Sequence, residues 1–187
     1  KLFNTRKELF EKLYDHELNN ENSKLFDFYA FLGYCFYYGK FTSRNVNKAI
    51  QFLTLSADQN DLDAQFFLGE IYYMGDYISR DINKAIHYLT LSSNQNDRDA
   101  QFYLGEIYFY GDDVTQDLNK AIHYLSVSSD QNNTNAQLFL GKIYYNGDYV
   151  SQDINKSIKY LTLSSNNNNP DAQFYLGTLY YINEHIS

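Results

Sequence analysis

Residues 64–85 read AQFFLGEIYYMGDYISRDINKA, and this pattern returns with small changes every 36 residues. Two sets of glycines mark the period. The first set is Gly33, Gly69, Gly105, Gly141 and Gly177, and the second is Gly39, Gly75, Gly111 and Gly147. Together they are all nine glycines of the 187-residue chain, so none remains for a phosphate-binding loop or a flexible linker. A fixed period of about 20–50 residues is typical of stacked repeats.

Each repeat predicts two helices. Ala64, Leu68 and Ile71 recur at helical spacing and predict a first helix that ends at Gly75 in a left-handed conformation. Asn183 takes the place of that glycine in the last repeat. The expected N-caps of the first helices are Asp61, Asp97, Asn133 and Asn169, and those of the second helices are Asn45, Asp81, Asp117 and Asp153. The count is five first helices and four second helices.

A glycine in the middle of each first helix needs a compensating contact, because glycine costs about 0.5–1 kcal/mol relative to alanine there. The second helix carries a small residue at one position of every repeat, and this position holds Ala49, Ala85, Ala121 and Ser157. We expect Gly69 to receive Ala85 at a close helix–helix approach.

The two ends of the chain differ from the repeats. Residues 5–19 predict an amphipathic helix outside the repeat register, so residues 1–22 are expected to cap the array and residues 23–187 to form four full repeats plus the first helix of a fifth. The chain stops at Ser187, before another second helix. Leu176, Leu179 and Tyr180 are therefore expected to leave apolar surface open to self-association. Because the chain starts at Lys1 and its only methionine is Met74, we expect the natural N-terminus to lie upstream.

Composition argues against several classes of function. A net charge of −8 disfavours nucleic-acid binding, which depends on clustered Lys and Arg. No apolar run is long enough for a membrane span. The single cysteine, Cys35, favours a reducing compartment, and hence the cytoplasm. His87 and His123 share a column with Gln51 and Lys159, which indicates a polar surface and no metal site. No catalytic motif or cofactor-binding motif is present, so we expect no enzyme and no cofactor.

The pattern A-x-x-x-L-G-x-x-Y-x-x-G-x-x-x-x-x-D-x-x-K-A, as in residues 64–85, resembles the Sel-one-like repeat family, a relative of the tetratricopeptide repeats. The resemblance covers about residues 28–182, and the first copy departs from it at Phe28 and Asn45. It implies an all-α fold, a right-handed superhelical α-solenoid of antiparallel helix pairs. It also implies a protein-binding adaptor or scaffold. Similar arrays accompany protein kinase domains in some protists, so a module of a larger signalling protein is one form this function takes.

A second set of aromatic and charged residues recurs on another face of the first helices. In tetratricopeptide-type solenoids that face lines a concave groove. The predicted partner-binding residues are Tyr34, Tyr37, Phe66, Glu70, Tyr73, Phe102, Glu106, Phe109, Lys142 and Tyr145. Packing between neighbouring repeats is the alternative for some of these rings. Because Glu70 and Glu106 are acidic, we expect a basic and apolar protein or peptide.

A different column, Tyr72, Tyr108, Tyr144 and Tyr180, is expected in the core. The competing function is carbohydrate or cell-wall binding, because aromatic rings stack on sugars while Asn and Asp bond hydroxyl groups. Secreted bacterial members of the family usually carry paired cysteines. Their absence from this chain weakens that alternative.

Overall fold

The computed structural model describes residues 26–147 and 149–186, together with Lys12. All regular elements in these ranges are α-helices. They are α1 (Phe26–Tyr38), α2 (Val46–Ala57), α3 (Leu62–Met74), α4 (Ile82–Asn94), α5 (Arg98–Tyr110), α6 (Leu118–Asp130), α7 (Thr134–Asn146), α8 (Ile154–Asn166) and α9 (Pro170–Ile186). The N-terminal helix predicted for residues 5–19 and the capping region of residues 1–22 lie outside the described ranges, Lys12 apart.

The helices form consecutive pairs. Each odd-numbered helix from α1 to α7, here called an A helix, packs against the even-numbered B helix that follows it, and α9 is a fifth A helix that packs against α8. The chain divides into two compact units, residues 1–95 with α1–α4 and residues 96–187 with α5–α9. Within each unit a B helix also packs against the next A helix, as α2 does with α3 and α6 with α7.

The predicted caps are confirmed. Asp61 Oδ1 accepts the amide N–H of Ala64 at 2.7 Å, and Asp81 Oδ1 accepts that of Lys84 at 3.0 Å. These bonds satisfy amides that would otherwise be unpaired in the first helical turn. Gly75 ends α3 in the left-handed conformation, with a φ of 69°. Because each signal acts within a few residues, the sequence alone located these helix boundaries.

The last A helix departs from the pattern. The α9 helix continues through Asn183 to Ile186, so the predicted left-handed end at Asn183 is wrong. In the second repeat the amide of Asp81 donates to the carbonyl of Tyr72 and holds the start of α4 at the end of α3. No B helix follows α9 in the described part of the chain. In addition, asparagine costs less free energy than glycine inside a helix.

The mid-helix glycines sit at close helix–helix contacts, as predicted, but the nearest side chain is a leucine and not the predicted small residue. A Cβ atom placed on Gly69 would lie 2.6 Å from Cγ of Leu89, one helical turn beyond Ala85. The small position still faces the glycine backbone, because Ser157 Oγ donates to the carbonyl of Gly141 at 2.9 Å. Glycine thus makes room for a leucine of the B helix, and the small residue lets the two backbones approach.

Buried glutamines join the ends of successive B helices. Gln65 on α3 donates to the carbonyl of Ala57, which ends α2, at 3.1 Å. It accepts a hydrogen bond from Gln95, which follows α4, at 2.9 Å. Gln137 makes the matching bonds in unit 2, with Ser129 and Asn167. Since a buried amide costs energy unless it is paired, these bonds help to hold the stacking register.

Leu176 and Leu179 are buried, contrary to the expectation that they expose apolar surface. They pack with Ala172 and Leu161 into the core cluster at the end of unit 2. Tyr180, the third residue of that expectation, is exposed, as are Phe174 and Tyr181 of the same helix.

Candidate functional site

The A helices of unit 1, α1 and α3, line a cleft of about 490 Å³. Its walls carry aromatic rings and two carboxylates, from Phe31, Tyr34, Tyr38, Phe66, Phe67, Asp63 and Glu70. The rings form a continuous surface, because Tyr34 lies 4.5 Å from Tyr38, and Tyr38 stacks on Phe67 at 5.8 Å. Tyr34 and Tyr38 are exposed to solvent.

Cations already lie on the rings around this cleft. The Lys40 amine donates to the Tyr34 hydroxyl at 3.1 Å and lies 4.6 Å from the centre of its ring. The Arg44 guanidinium lies 4.3 Å from the centre of the Tyr77 ring. Cations are attracted to the electron-rich faces of aromatic rings. The surface therefore suits ammonium and guanidinium groups.

Unit 2 has a cleft of about 330 Å³ with a different charge. It is lined by Phe109, Tyr110, Phe139, Lys142, Ile143, Asn146 and Tyr149. Tyr110 and Tyr149 are exposed, and the only charged side chain in this lining is that of Lys142, whose amine lies 4.9 Å from the ring centre of Tyr175. The two clefts share aromatic character and differ in the sign of their charge.

Two of the predicted partner-binding residues are buried. Tyr37 and Phe109 are only 7% and 8% exposed. Tyr37 lies edge-on to Phe67 at 5.1 Å, and Phe109 lies edge-on to Phe139 at 5.0 Å. Each ring thus packs against the next A helix of its unit. Packing between repeats is the role that these contacts give to both rings, and Phe109 also lines the cleft of unit 2.

Tyr34, Phe66 and Glu70 line the cleft of unit 1, and Phe109 and Lys142 line that of unit 2. The other predicted residues, Tyr73, Phe102, Glu106 and Tyr145, are half-buried and line neither cleft. Burial raises the pKa of Glu106 to about 7, because desolvation disfavours its charged form.

The tyrosine column expected in the core bridges A and B helices. Tyr72, Tyr108 and Tyr144 each stack on a B-helix tyrosine at 6.0 Å. A lysine of the B helix lies over each of these three rings. Tyr72 is buried, whereas Tyr108 and Tyr144 are half-buried. Tyr180 is 53% exposed, so a core position for it is wrong.

Sequence reasoning missed four exposed tyrosines, which are Tyr38, Tyr77, Tyr110 and Tyr149. Tyr38 and Tyr110 each follow a buried ring of the predicted set by one residue. Tyr77 lies 5.5 Å from Tyr37 and Tyr149 lies 4.9 Å from Phe109, so each contacts the A helix of the preceding repeat from the loop after a left-handed glycine. The recurrence of a tyrosine two residues after that glycine was the signal that could have found the loop pair.

The cysteine and two of the histidines lie apart from both clefts. Cys35 is buried, and burial raises the pKa of its thiol to about 11. His87 and His123 are exposed, each edge-on to the tyrosine that follows it. Within the described ranges, no three His, Cys, Asp or Glu residues come together as a metal-binding group. No helix in those ranges is both long and apolar enough to cross a membrane.

Several solved structures resemble this fold. A protective antigen of uropathogenic Escherichia coli, c5321, described as displaying an SLR fold, has 27% sequence identity and a TM-score of 0.80 over 94% of this chain and 36% of its own. A Sel1 repeat protein from Oxalobacter formigenes has 28% identity and a TM-score of 0.77, over 94% of this chain and 70% of its own. Helicobacter pylori cysteine-rich protein B has 24% identity and a TM-score of 0.55, over 70% of this chain and 93% of its own.

These likenesses confirm the predicted class of an all-α solenoid of helix pairs. The chain spans little more than a third of the Escherichia coli antigen. No curated protein matches it. The family model of the Sel1 repeat matches five consecutive segments, residues 27–61, 62–97, 98–133, 134–169 and 170–184. The chain therefore belongs to the Sel1 repeat family.

Proposed function

We propose that this protein is an interaction scaffold and that the cleft of unit 1 binds a basic, apolar segment of a partner protein. Sel1 repeat arrays are generally protein-interaction modules. The proposal rests on one observation: exposed tyrosine rings and the carboxylates of Asp63 and Glu70 line the same cleft.

The cation on Tyr34 indicates what the partner presents. Lys40 lies on the Tyr34 ring and donates to its hydroxyl, an arrangement that an arginine or lysine of a partner reproduces by displacing Lys40. Asp63 and Glu70 favour the same cation electrostatically, and the net charge of −8 steers basic partners toward the chain.

The aromatic walls supply the apolar part of the interface. Tyr38 and Phe67 stack nearly parallel, with 9° between their ring planes. Phe31 is exposed beside them. Aromatic side chains dominate interface energies because they bury large areas at low entropic cost. We expect the rings to carry most of the affinity and the carboxylates to contribute selectivity.

Selection from a phage-displayed library of random peptides tests the proposal. The bait is the chain, and the counter-selection bait is a variant with Tyr34→Ala and Tyr38→Ala. We expect enrichment of peptides in which Arg or Lys neighbours an aromatic or aliphatic residue. Their affinity for the variant should fall by about tenfold or more. In Asp63→Asn the loss should be smaller and should vanish at high salt.

A matched control separates the cleft from general stickiness. Tyr149→Ala removes an exposed tyrosine from the cleft of unit 2 and should leave the selected peptides bound. Enrichment of acidic peptides, or equal binding to the double variant, would contradict the proposal. A glycan array probed with the same proteins tests carbohydrate binding, and ring-dependent glycan capture without peptide capture would favour that alternative.

The setting of the scaffold is part of the proposal. A single buried cysteine supports a cytoplasmic location, since reducing compartments keep thiols free. The proposal includes the form that the family resemblance implies, in which the array is a module of a larger signalling protein such as a kinase.

A further inference from the structure

The side chain of Lys40 lies against the aromatic wall of the cleft of unit 1. Lys40 follows the left-handed Gly39, and its backbone amide donates to the carbonyl of Cys35 at 2.9 Å. Its amine donates to the Tyr34 hydroxyl and lies 4.6 Å from the centre of that ring and 5.8 Å from the centre of the Tyr38 ring. One amine therefore contacts two rings and a hydroxyl group.

This contact is specific to the first repeat. The positions of Tyr34 and Lys40 are acidic in the next two repeats, where they hold Glu70 and Asp76, and then Glu106 and Asp112. The second and third repeats form their helix pairs without a lysine–tyrosine contact at these positions. The folding of a repeat therefore does not require this contact.

The other lysines that lie over tyrosine rings in the B helices are also held by carboxylates. Lys84, Lys120 and Lys156 are each paired, at 3.5 or 3.7 Å, with the aspartate that caps the same helix. Lys40 instead lies in a loop, and the acceptor of its hydrogen bond is an uncharged hydroxyl group. Because Tyr34 and Lys40 are both exposed, water competes for this contact, and a cation of a partner can replace that of Lys40.

The geometry of the two rings favours an ammonium group over a guanidinium group. The rings of Tyr34 and Tyr38 are inclined by 50°, with their centres 4.5 Å apart. A compact ammonium reaches both inclined rings and still donates to the hydroxyl group. A guanidinium is planar and stacks on the face of one ring, and in this unit Arg44 lies over a different ring, that of Tyr77.

Glu70 supplies the opposite charge at this site. Burial raises the pKa of the Tyr38 hydroxyl and the Glu70 carboxylate raises it further, whereas the Lys40 amine lowers it. Both charged groups therefore act at Tyr38. Glu70 also lines the cleft, so an ammonium that takes the place of Lys40 is attracted by the same carboxylate.

We propose that the rings of Tyr34 and Tyr38 and the Tyr34 hydroxyl form a lysine-binding site, and that Lys40 occupies this site as an internal competitor. The inference rests on the function proposed for the cleft of unit 1, and it specifies both the cation of the partner and a means of regulation. The apparent affinity falls with the fraction of molecules in which Lys40 occupies the site. Neutralising Lys40, by substitution or by acetylation of its exposed amine, therefore strengthens binding.

Two tripeptides test the proposal, acetyl-Leu-Lys-Phe-amide and acetyl-Leu-Arg-Phe-amide. The Kd of each is measured from the NMR signals of the Tyr38 ring. The parent protein should bind the lysine peptide about threefold more tightly than the arginine peptide. Lys40→Met keeps an unbranched side chain without the charge, and it should tighten binding of the lysine peptide by about tenfold. The matched control is Lys84→Met, which removes a cation from a tyrosine outside the cleft and should leave both Kd values unchanged.

Tyr34→Phe separates the hydroxyl group from the ring. It keeps the aromatic face and removes the acceptor, so the preference for the lysine peptide should disappear while circular dichroism confirms that the protein is folded. An unchanged or weaker affinity in Lys40→Met overturns the internal competition, and a parent that prefers the arginine peptide overturns the lysine site. Absence of any shift in Lys40→Met at about 10 mM peptide also overturns the lysine site. The selection from random peptides tests the function proposed for the cleft separately, so the two failures are distinguishable.

Discussion

The α5 and α9 helices share an identical stretch, DAQFYLG, at residues 99–105 and 171–177, yet these residues lie in different environments. Phe102 is half-buried and lies 6.4 Å from the ring of Phe139 on the next A helix. Phe174 is exposed on α9. The same side chain in the same local sequence is therefore covered in one repeat and open in the other.

The polar and backbone contacts differ in the same way. Gln101 is buried and accepts a hydrogen bond from the B-helix end, whereas Gln173 is exposed. Gly105 lies against Leu125, whereas Gly177 has open space among the described residues.

Helix formation needs only the local sequence, as both helices show. The helices that follow α5 cover Gln101, Phe102 and Gly105, and the equivalent positions on α9 are open. Ala172 and Leu176 are buried even so, because they pack against the helix before them.

The largest expected contrast is between Phe109 on α5 and its equivalent Tyr181 on α9. Phe109→Ala removes a ring that lies edge-on to Phe139 and Tyr149, and should lower the free energy of unfolding by about 3 kcal/mol. Tyr181→Ala should change it by less than about 0.5 kcal/mol. Urea unfolding monitored by circular dichroism measures both. Equal losses would contradict the exposure of Tyr181 on α9.

The next contrast uses the glycines. Gly105→Leu should destabilise by about 2 kcal/mol, because the new side chain collides with buried Leu125. Gly105→Ala should fail to give the stabilisation that helix propensity alone predicts. Gly177→Ala should stabilise the protein by about 0.5–1 kcal/mol, because no atom in the described chain lies where the new methyl group would be. A rise in the unfolding midpoint for Gly105→Ala would refute the close-contact explanation.

The smallest contrast concerns pH. Glu106 on α5 corresponds to Thr178 on α9, and burial raises the pKa of Glu106 from 4.5 to about 7. Between these two values the folded state keeps a proton on Glu106 that the unfolded state releases. The stability that protonated Glu106 contributes is therefore complete below pH 4.5 and is lost as pH rises through 7. Partial solvent contact reduces the effect to about 2 kcal/mol at most.

Glu106→Gln should therefore be more stable than the parent above pH 7 and similar to it near pH 4.5. Thermal unfolding of both proteins across this pH range measures their stabilities. Subtracting one from the other removes the contribution of the groups that titrate in both. A pH-independent difference between them would contradict the desolvation of Glu106.

Local features were predictable to the residue. Asp61 and Asp81 as N-caps and Gly75 as a left-handed terminus each rest on backbone geometry within one helical turn. The neighbour of Gly69 was not predictable in this way. Whether Ala85 or Leu89 meets it depends on the rotation of α4 about its axis, which the packing of the whole pair decides.

The candidate site was predictable only in part. Helical spacing predicted an aromatic face on the A helices, and Tyr34 does line a cleft. Tyr37 and Tyr38 are adjacent on one helix, yet the first is buried and the second is exposed. Helical spacing could not predict this difference in burial. The separation comes from Phe67, an aromatic ring of the next repeat that lies edge-on to Tyr37 and face-on to Tyr38.

The sequence by itself determined the period, the helix boundaries inside the repeats and the all-α solenoid class, because caps, left-handed glycines and apolar spacing all act over short distances. Only the tertiary structure decided which rings are covered and which glycine receives a leucine. It also decided the burial that raises the pKa of Glu106 to about 7. These properties depend on side chains about 20–40 residues away along the chain, and the repeated sequence is almost the same whether or not those side chains are in place.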